Sequence, residues 1–152
     1  MKDLSLHILD IVENSIRAQA KRVEISVVED EQKDRLILEI RDDGQGMEQE
    51  TLERASQPFF TTKEGKKIGM GLALLAQAAR EADGAFEMSS APGVGTRIAA
   101  SFRYSHPDRK PLGDIPATLE ALIAGNPGVD FLFEHREGAQ AARLDTREVV
   151  KL

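Results

Sequence analysis

The chain has 152 residues and a mass of 16.7 kDa, enough for one hydrophobic core and a modest appendage. Apolar residues make up 41% and charged residues 30%, which excludes a disordered chain, and no run nears the ~18 apolar residues of a membrane span. The absence of cysteine excludes disulfide scaffolds, thiolate metal sites and thiol catalysis, and a net charge of -6 with no Trp and one Tyr argues against a nucleic-acid platform.

The N-terminal run MKDLSLHILD carries Asp3 and Asp10 and lacks a small-residue cleavage site, so a secretory signal is not expected and a cytoplasmic location is the default. Residues 2–21 read as an amphipathic helix, because Leu4, Ile8, Leu9, Ile11, Val12 and Ile16 recur at helical spacing. Asp3, His7, Asp10, Asn14, Arg17 and Lys21 form its opposite, polar row. Residues 23–28 and 36–41 alternate apolar with polar and predict two hairpin-paired strands. The run DDGQG ends the second, and residues 48–55 suggest a short helix.

Residues 56–71, SQPFFTTKEGKKIGMG, carry no period, and loops of that length are usually functional or disordered. Leu72–Asp83 is an alanine-rich helix with Gly84 placed as its C-terminal cap. Residues 85–90 and 96–104 are strands joined by the turn APGVG. Residues 105–113, SHPDRKPLG, have the composition of a linker, which divides the chain into a unit at 1–104 and a C-terminal extension at 105–152. Within the extension, 116–124 suggests a helix, 130–135 and 140–145 a hairpin, and 146–152 a turn of helix.

Simple phosphate loops fail. Gly65-Lys66-Lys67 lacks the Ser or Thr and the upstream Gly of a P-loop, and neither Gly69-Met70-Gly71 nor Gly93-Val94-Gly95 has the third glycine of a dinucleotide loop. Four elements in order remain. They are DIVEN (Asp10 to Asn14), DGQGM (Asp43 to Met47), PFFTTK with GMGLALL (Pro58 to Lys63, Gly69 to Leu75), and GVGT (Gly93 to Thr96). In these the chain resembles the GHKL ATP-binding domain, the Bergerat fold shared by gyrase, Hsp90, histidine kinases and MutL. The resemblance covers residues 4–104, where the four elements match the N box, the G1 box, the lid with the G2 box, and the last Gly-Thr strand.

The resemblance implies a two-layer α/β sandwich, with a mixed, mostly antiparallel sheet and helices on one face. It implies ATP and Mg2+ as ligands. Asn14 then offers an oxygen to Mg2+, which prefers oxygen ligands. Asp10 stands where the superfamily often carries a water-activating Glu and is a candidate base one methylene shorter, while Glu13 is either a second base or a solvated carboxylate. Asp43 would accept from the adenine amino group, with Gly44, Gly46 and Met47 in the same loop. Thr96 joins that network or serves only as a strand residue. Lys63, Lys66 and Lys67 against Glu64 give the lid net +2 and suit a phosphate cover. Gly69, Met70, Gly71 and Leu72 open a helix whose N-terminus favours an anion.

Arg17, PFFTTK and the short basic lid favour the histidine-kinase branch, whereas the Glu-Asn-Ser core is MutL-like. No dimerisation hairpin with a phospho-acceptor histidine precedes the domain, so a stand-alone regulatory kinase, comparable in architecture to anti-sigma-type serine kinases, is the expectation. An ATPase conformational switch and a nucleotide-sensing module without catalysis are the alternatives. The expected partners are ATP and a protein substrate or regulator, with a homodimer among the assemblies allowed and no nucleic acid or membrane.

Overall fold

The structure, a computed structural model, describes residues 3–54 and 70–148, with Arg54 and Met70 described through their backbone only. Helix α1 (Leu4–Arg17) opens the chain, and the Asp3 carboxylate caps it by accepting from the Leu6 N–H. Strands β1 (Arg22–Asp30) and β2 (Arg35–Asp42) follow as an antiparallel pair, then a short helix α2 (Gln49–Arg54). Helix α3 (Met70–Glu81) leads into β3 (Phe86–Ala91) and β4 (Gly95–Arg103). Helix α4 (Ile115–Gly125), β5 (Asp130–Glu137), β6 (Gln140–Asp145) and a 3-10 turn at Thr146–Glu148 complete it.

The strands form one six-stranded sheet in the order β3-β4-β2-β1-β5-β6. Neighbours run antiparallel except β1 and β5, which are parallel, so the sheet is mixed and mostly antiparallel. The two-residue period puts Val23, Ile25 and Val27, Leu36, Leu38 and Ile40, and Ile98, Ala100 and Phe102 on one buried face. Leu4, Ile8, Ile11 and Val12 of α1, Leu72 and Leu75 of α3, and Leu119 and Leu122 of α4 complete a single core against it. Each such side chain contributes about 1.5–3 kcal/mol by leaving water. The other face is charged, with Glu39 accepting from both Arg41 and Arg97.

Three local expectations change. Helix α3 ends in a Schellman motif, with Gly84 N–H donating to the Ala79 carbonyl (2.8 Å) and Asp83 N–H to that of Arg80 (3.2 Å). The left-handed residue is Asp83 (φ 56°), not Gly84; Gly84 is needed because a Cβ there would overlap the Ser101 carbonyl. Helix α1 ends the same way at Gln19 (φ 62°). The linker-like segment 105–113 is docked instead: the Leu4 and Ser5 N–H groups donate to the Pro111 and Leu112 carbonyls, both at 2.9 Å, which satisfies open donors in the first turn of α1.

Candidate nucleotide site

Loop 43–47 after β2 is where three elements press their backbones together. Gln45 N–H donates to the Ala18 carbonyl at the end of α1, and Gly93 N–H donates to the Gln45 carbonyl, both at 2.8 Å. Gly46 (φ 72°) and Gly95 (φ 131°) hold left-handed conformations, and a Cβ on either would overlap a carbonyl oxygen, of Ala91 and Asp42 respectively. Met47 N–H donates to Ser90 Oγ at 2.8 Å, and its partly buried side chain packs on the core. Ser90 Oγ in turn lies 2.8 Å from Thr96 Oγ1 and 2.9 Å from the Gly95 carbonyl.

The two adjacent aspartates do different things. Asp42 faces inward at the end of β2, opposite Thr96 of β4. Its Oδ2 accepts from Ser15 Oγ (2.6 Å) and its Oδ1 from the Gly44 N–H (2.9 Å). Asp43 is exposed, and its Oδ1 accepts from the Lys21 and Arg22 N–H groups at 2.8 and 2.9 Å, fastening the start of β1. Partial burial pushes the Asp43 carboxyl up, but these backbone donors outweigh it and hold it below the ordinary carboxylate range. Asp43 Oδ1, of the expected adenine acceptor, is thus engaged in backbone capping, while Asp42 joins the serine, glycine and threonine groups of the loop. Ser15, Asp42 and Ser90 escaped the sequence reading. The parity of β2 was the available signal: Leu36, Leu38 and Ile40 face inward, and so does Asp42.

On α1, Asp10 and Asn14 lie one turn apart and partly buried, while Glu13 and Arg17 are exposed. Arg17 Nη1 donates to Asn14 Oδ1 at 2.8 Å, and its Nη2 lies 3.8 Å from Glu13 Oε2 as an exposed i,i+4 pair. Asn14 Oδ1 keeps a second lone pair, so the amide can still serve a hard cation. A Cβ at Gly71 would overlap Asp10 Oδ2, which places the Asp10 carboxylate against the first turn of α3. Leu72 is buried in the core, leaving only its backbone for a ligand. Lys63, Lys66, Lys67 and Gly69 lie outside the described residues, as does the Met70 side chain.

Residues 2–106 match the family described as histidine kinase-, DNA gyrase B-, and HSP90-like ATPase. Among curated proteins, the sensor histidine kinase YxdK of Bacillus subtilis (strain 168) is 32% identical over 108 residues, covering 66% of this chain and 33% of that protein. A putative sensor protein of Shewanella frigidimarina (strain NCIMB 400) is 30% identical over 103 residues, covering 66% of this chain and 16% of its own length. The chain thus spans a third or less of either relative. In fold it is similar to the MutL ATPase domain of Aquifex aeolicus, solved in complex with ADP, with a TM-score of 0.61 at 18% identity over 95% of this chain and 64% of that one. Four ordered motifs, the mixed sheet and the match over residues 2–106 agree: the chain belongs to the histidine kinase-, DNA gyrase B- and HSP90-like ATPase family.

Proposed function

We propose that the chain binds Mg2+–ATP beside loop 43–47 and passes a phosphoryl group to a protein partner as a regulatory kinase. The observation that carries the binding reading is the Asp42 node: a carboxylate fixed by Ser15 Oγ and the Gly44 N–H, facing Thr96, in a loop where glycines bring the backbone close. A carboxylate has about four acceptor positions, so Asp42 retains capacity for the adenine amino group, which guanine lacks at that position. In this reading Asp42 takes the base-recognition role first given to Asp43. Asn14 Oδ1 is the chain's oxygen for Mg2+, and Arg17, released from Asn14, meets phosphate. Lys63, Lys66 and Lys67 cover the phosphates, with Gly69 and Gly71 freeing N–H groups at the start of α3. Bound ATP supplies the transferable phosphoryl group, and Mg2+ neutralises its charge. Residues 1–104 form the nucleotide-binding unit, residues 105–152 extend it, and the site lies in the cytoplasm.

The kinase-like relatives support phosphoryl transfer over hydrolysis. One observation favours a second reading, nucleotide sensing without chemistry: the short Asp10 side chain packs on Gly71. Calorimetric titration of Mg2+–ATP tests the site. Asp42→Asn should weaken binding about ten- to a hundred-fold, the loss of a charged acceptor worth about 1.5–3 kcal/mol, and Asp43→Asn less than about threefold. The reverse ranking would return the role to Asp43. Labelled ATP separates the activities: phosphate on a partner, free phosphate, or neither.

A further inference from the structure

The far end of β1 carries a cluster that nucleotide binding does not use. Glu29 is buried on the core side of the sheet, with 7% of its surface exposed. Parallel pairing sets Glu137 of β5 directly beside it, so two carboxylates of one charge share a face of adjacent strands. Such neighbours repel. His135, two residues before Glu137 and on the same face, places Nε2 at 2.7 Å from Glu29 Oε2. Among the described residues no lysine or arginine pairs with either glutamate. A protonated His135 answers one carboxylate and leaves the other uncompensated beside it.

We propose that Glu29, His135 and Glu137 bind a divalent transition-metal ion of the zinc class, which staples the C-terminal hairpin to β1. One ligand atom from each residue lies within 4.8 Å of the others. Ligands of one tetrahedral zinc ion stand roughly 3.4 Å apart, so a rotamer change of the exposed Glu137 closes the set. An imidazole with two carboxylates suits zinc and its neighbours, while Mg2+ prefers oxygen and water. Three protein ligands leave a position for water.

The surroundings hold the ligands as metal sites require. The Tyr104 hydroxyl donates to Glu29 Oε1 (3.3 Å), so Oε2 and His135 Nε2 are the atoms that meet the ion, which takes the place of the hydrogen bond between them and releases its proton to solvent. Arg109 lies over the Tyr104 ring at 4.8 Å and its Nε donates to the Tyr104 carbonyl, which fixes that hydroxyl's approach. Phe133 meets the His135 ring edge-on, with centroids 6.2 Å apart and planes at 62°. Gly138 N–H donates to the Glu29 carbonyl, so the hairpin turn that presents Glu137 is tied to the strand that presents Glu29. None of these residues belongs to the nucleotide site, so the inference stands or falls apart from the ATP reading.

The test is calorimetric titration of the untagged full chain, free of nucleotide, with ZnCl2, alongside thermal unfolding. The expected result is one saturable site per chain and a raised unfolding midpoint. His135→Ala and Glu137→Gln should each weaken zinc at least tenfold and remove most of that rise, and Glu137, being exposed, tolerates substitution without loss of fold. His106→Ala, at the other partly exposed histidine, should leave binding unchanged, and MgCl2 at the same concentrations should give no comparable site. Absence of saturable zinc binding, binding undiminished in both ligand variants, or equal binding of Mg2+ would overturn the proposal; a simple His135–Glu29 ion pair would then remain.

Discussion

On the β2–β4 side of β1, Gly44, Gly46 and Gly95 stand where an added Cβ would meet backbone carbonyl oxygens, whereas from the end of α4 to the β5–β6 turn Gly125, Gly128 and Gly138 have open space around them. The first region is shaped by backbone lying on backbone, and its loops are fixed by the absence of side chains. The second adds polar side-chain ties to the apolar packing of Leu119, Leu122 and Phe131. Arg22 reaches Asp145 at 3.4 Å, Phe131 N–H donates to Thr146 Oγ1 at 2.8 Å, and His135 meets Glu29. A nucleotide loop gains from the first arrangement, since a base can approach bare backbone.

The comparison breaks most visibly at glycine. Gly46→Ala imposes both a left-handed conformation and an overlap with the Ala91 carbonyl, and should cost about 2–4 kcal/mol in denaturant unfolding. Gly125→Ala, in the last turn of α4 with nothing near, should instead stabilise by about 0.4–1 kcal/mol. Similar effects at both sites would mean that the two regions are packed alike.

Asp145 sharpens the other half of the contrast. Its carboxylate is buried, accepts from the Arg147 N–H and from Arg22, and ties β6 to β1. The Arg147 backbone donor first, then Arg22, hold its carboxyl below the ordinary range against the opposing pull of burial. A lowered carboxyl lends stability above the ordinary carboxylate range and loses it as the pH falls through and below that range. Asp145→Asn should therefore speed amide exchange in residues 140–145 at neutral pH while loop 43–47 keeps its protection. Loss of protection in both places would show one cooperative unit rather than two differently built regions.

The nucleotide half was largely legible because its devices have sequence signatures. Alternation marked β1 and β2, the turn APGVG marked β3 and β4, and glycine pairs marked the two loops that meet at Gly46 and Gly95. The proposed site departs from the sequence reading at one residue, since Asp42 and Asp43 both fit the local spelling and strand parity is what distinguishes them. Gln19 and Asp83 were not legible as the left-handed residues of their helix ends because neither is the glycine that usually marks such a cap. In the C-terminal half the hairpin was legible but its parallel pairing with β1 was not. That pairing brings together residues more than a hundred positions apart, such as Glu29 and His135, and no local pattern announces it. The docked strap within 105–113 was misleading for a similar reason: the prolines and glycine of that segment look like a linker, while the Pro111 and Leu112 carbonyls are what α1 requires.

The strap also sets up the smallest expected effect, at the seam between the two halves. His7 lies on the core side of α1, 1% exposed, and its buried Nδ1 finds no partner among the described residues. Burial is the main cause that lowers its pKa, and Lys110 of the strap adds to it, with Asp10 and Asp3 pulling weakly the other way. The folded protein thus holds His7 neutral below the pH at which the unfolded chain begins to protonate it, near 6.5. As the pH falls through that value the unfolded state takes up the proton and the folded state does not, so stability declines until the pH reaches the lower, folded pKa. The chain has two other histidines, so the wild-type slope alone does not isolate His7. The informative quantity is the difference in unfolding free energy between pH 7 and pH 5, compared across wild type, His7→Leu and His7→Gln. Both variants should show a shallower decline than wild type, whatever their absolute stability, because each removes the group that only the unfolded chain can charge. A decline equal to wild type in both would mean that His7 is protonated in the folded protein, and that the strap's Lys110 does not approach it closely enough to matter.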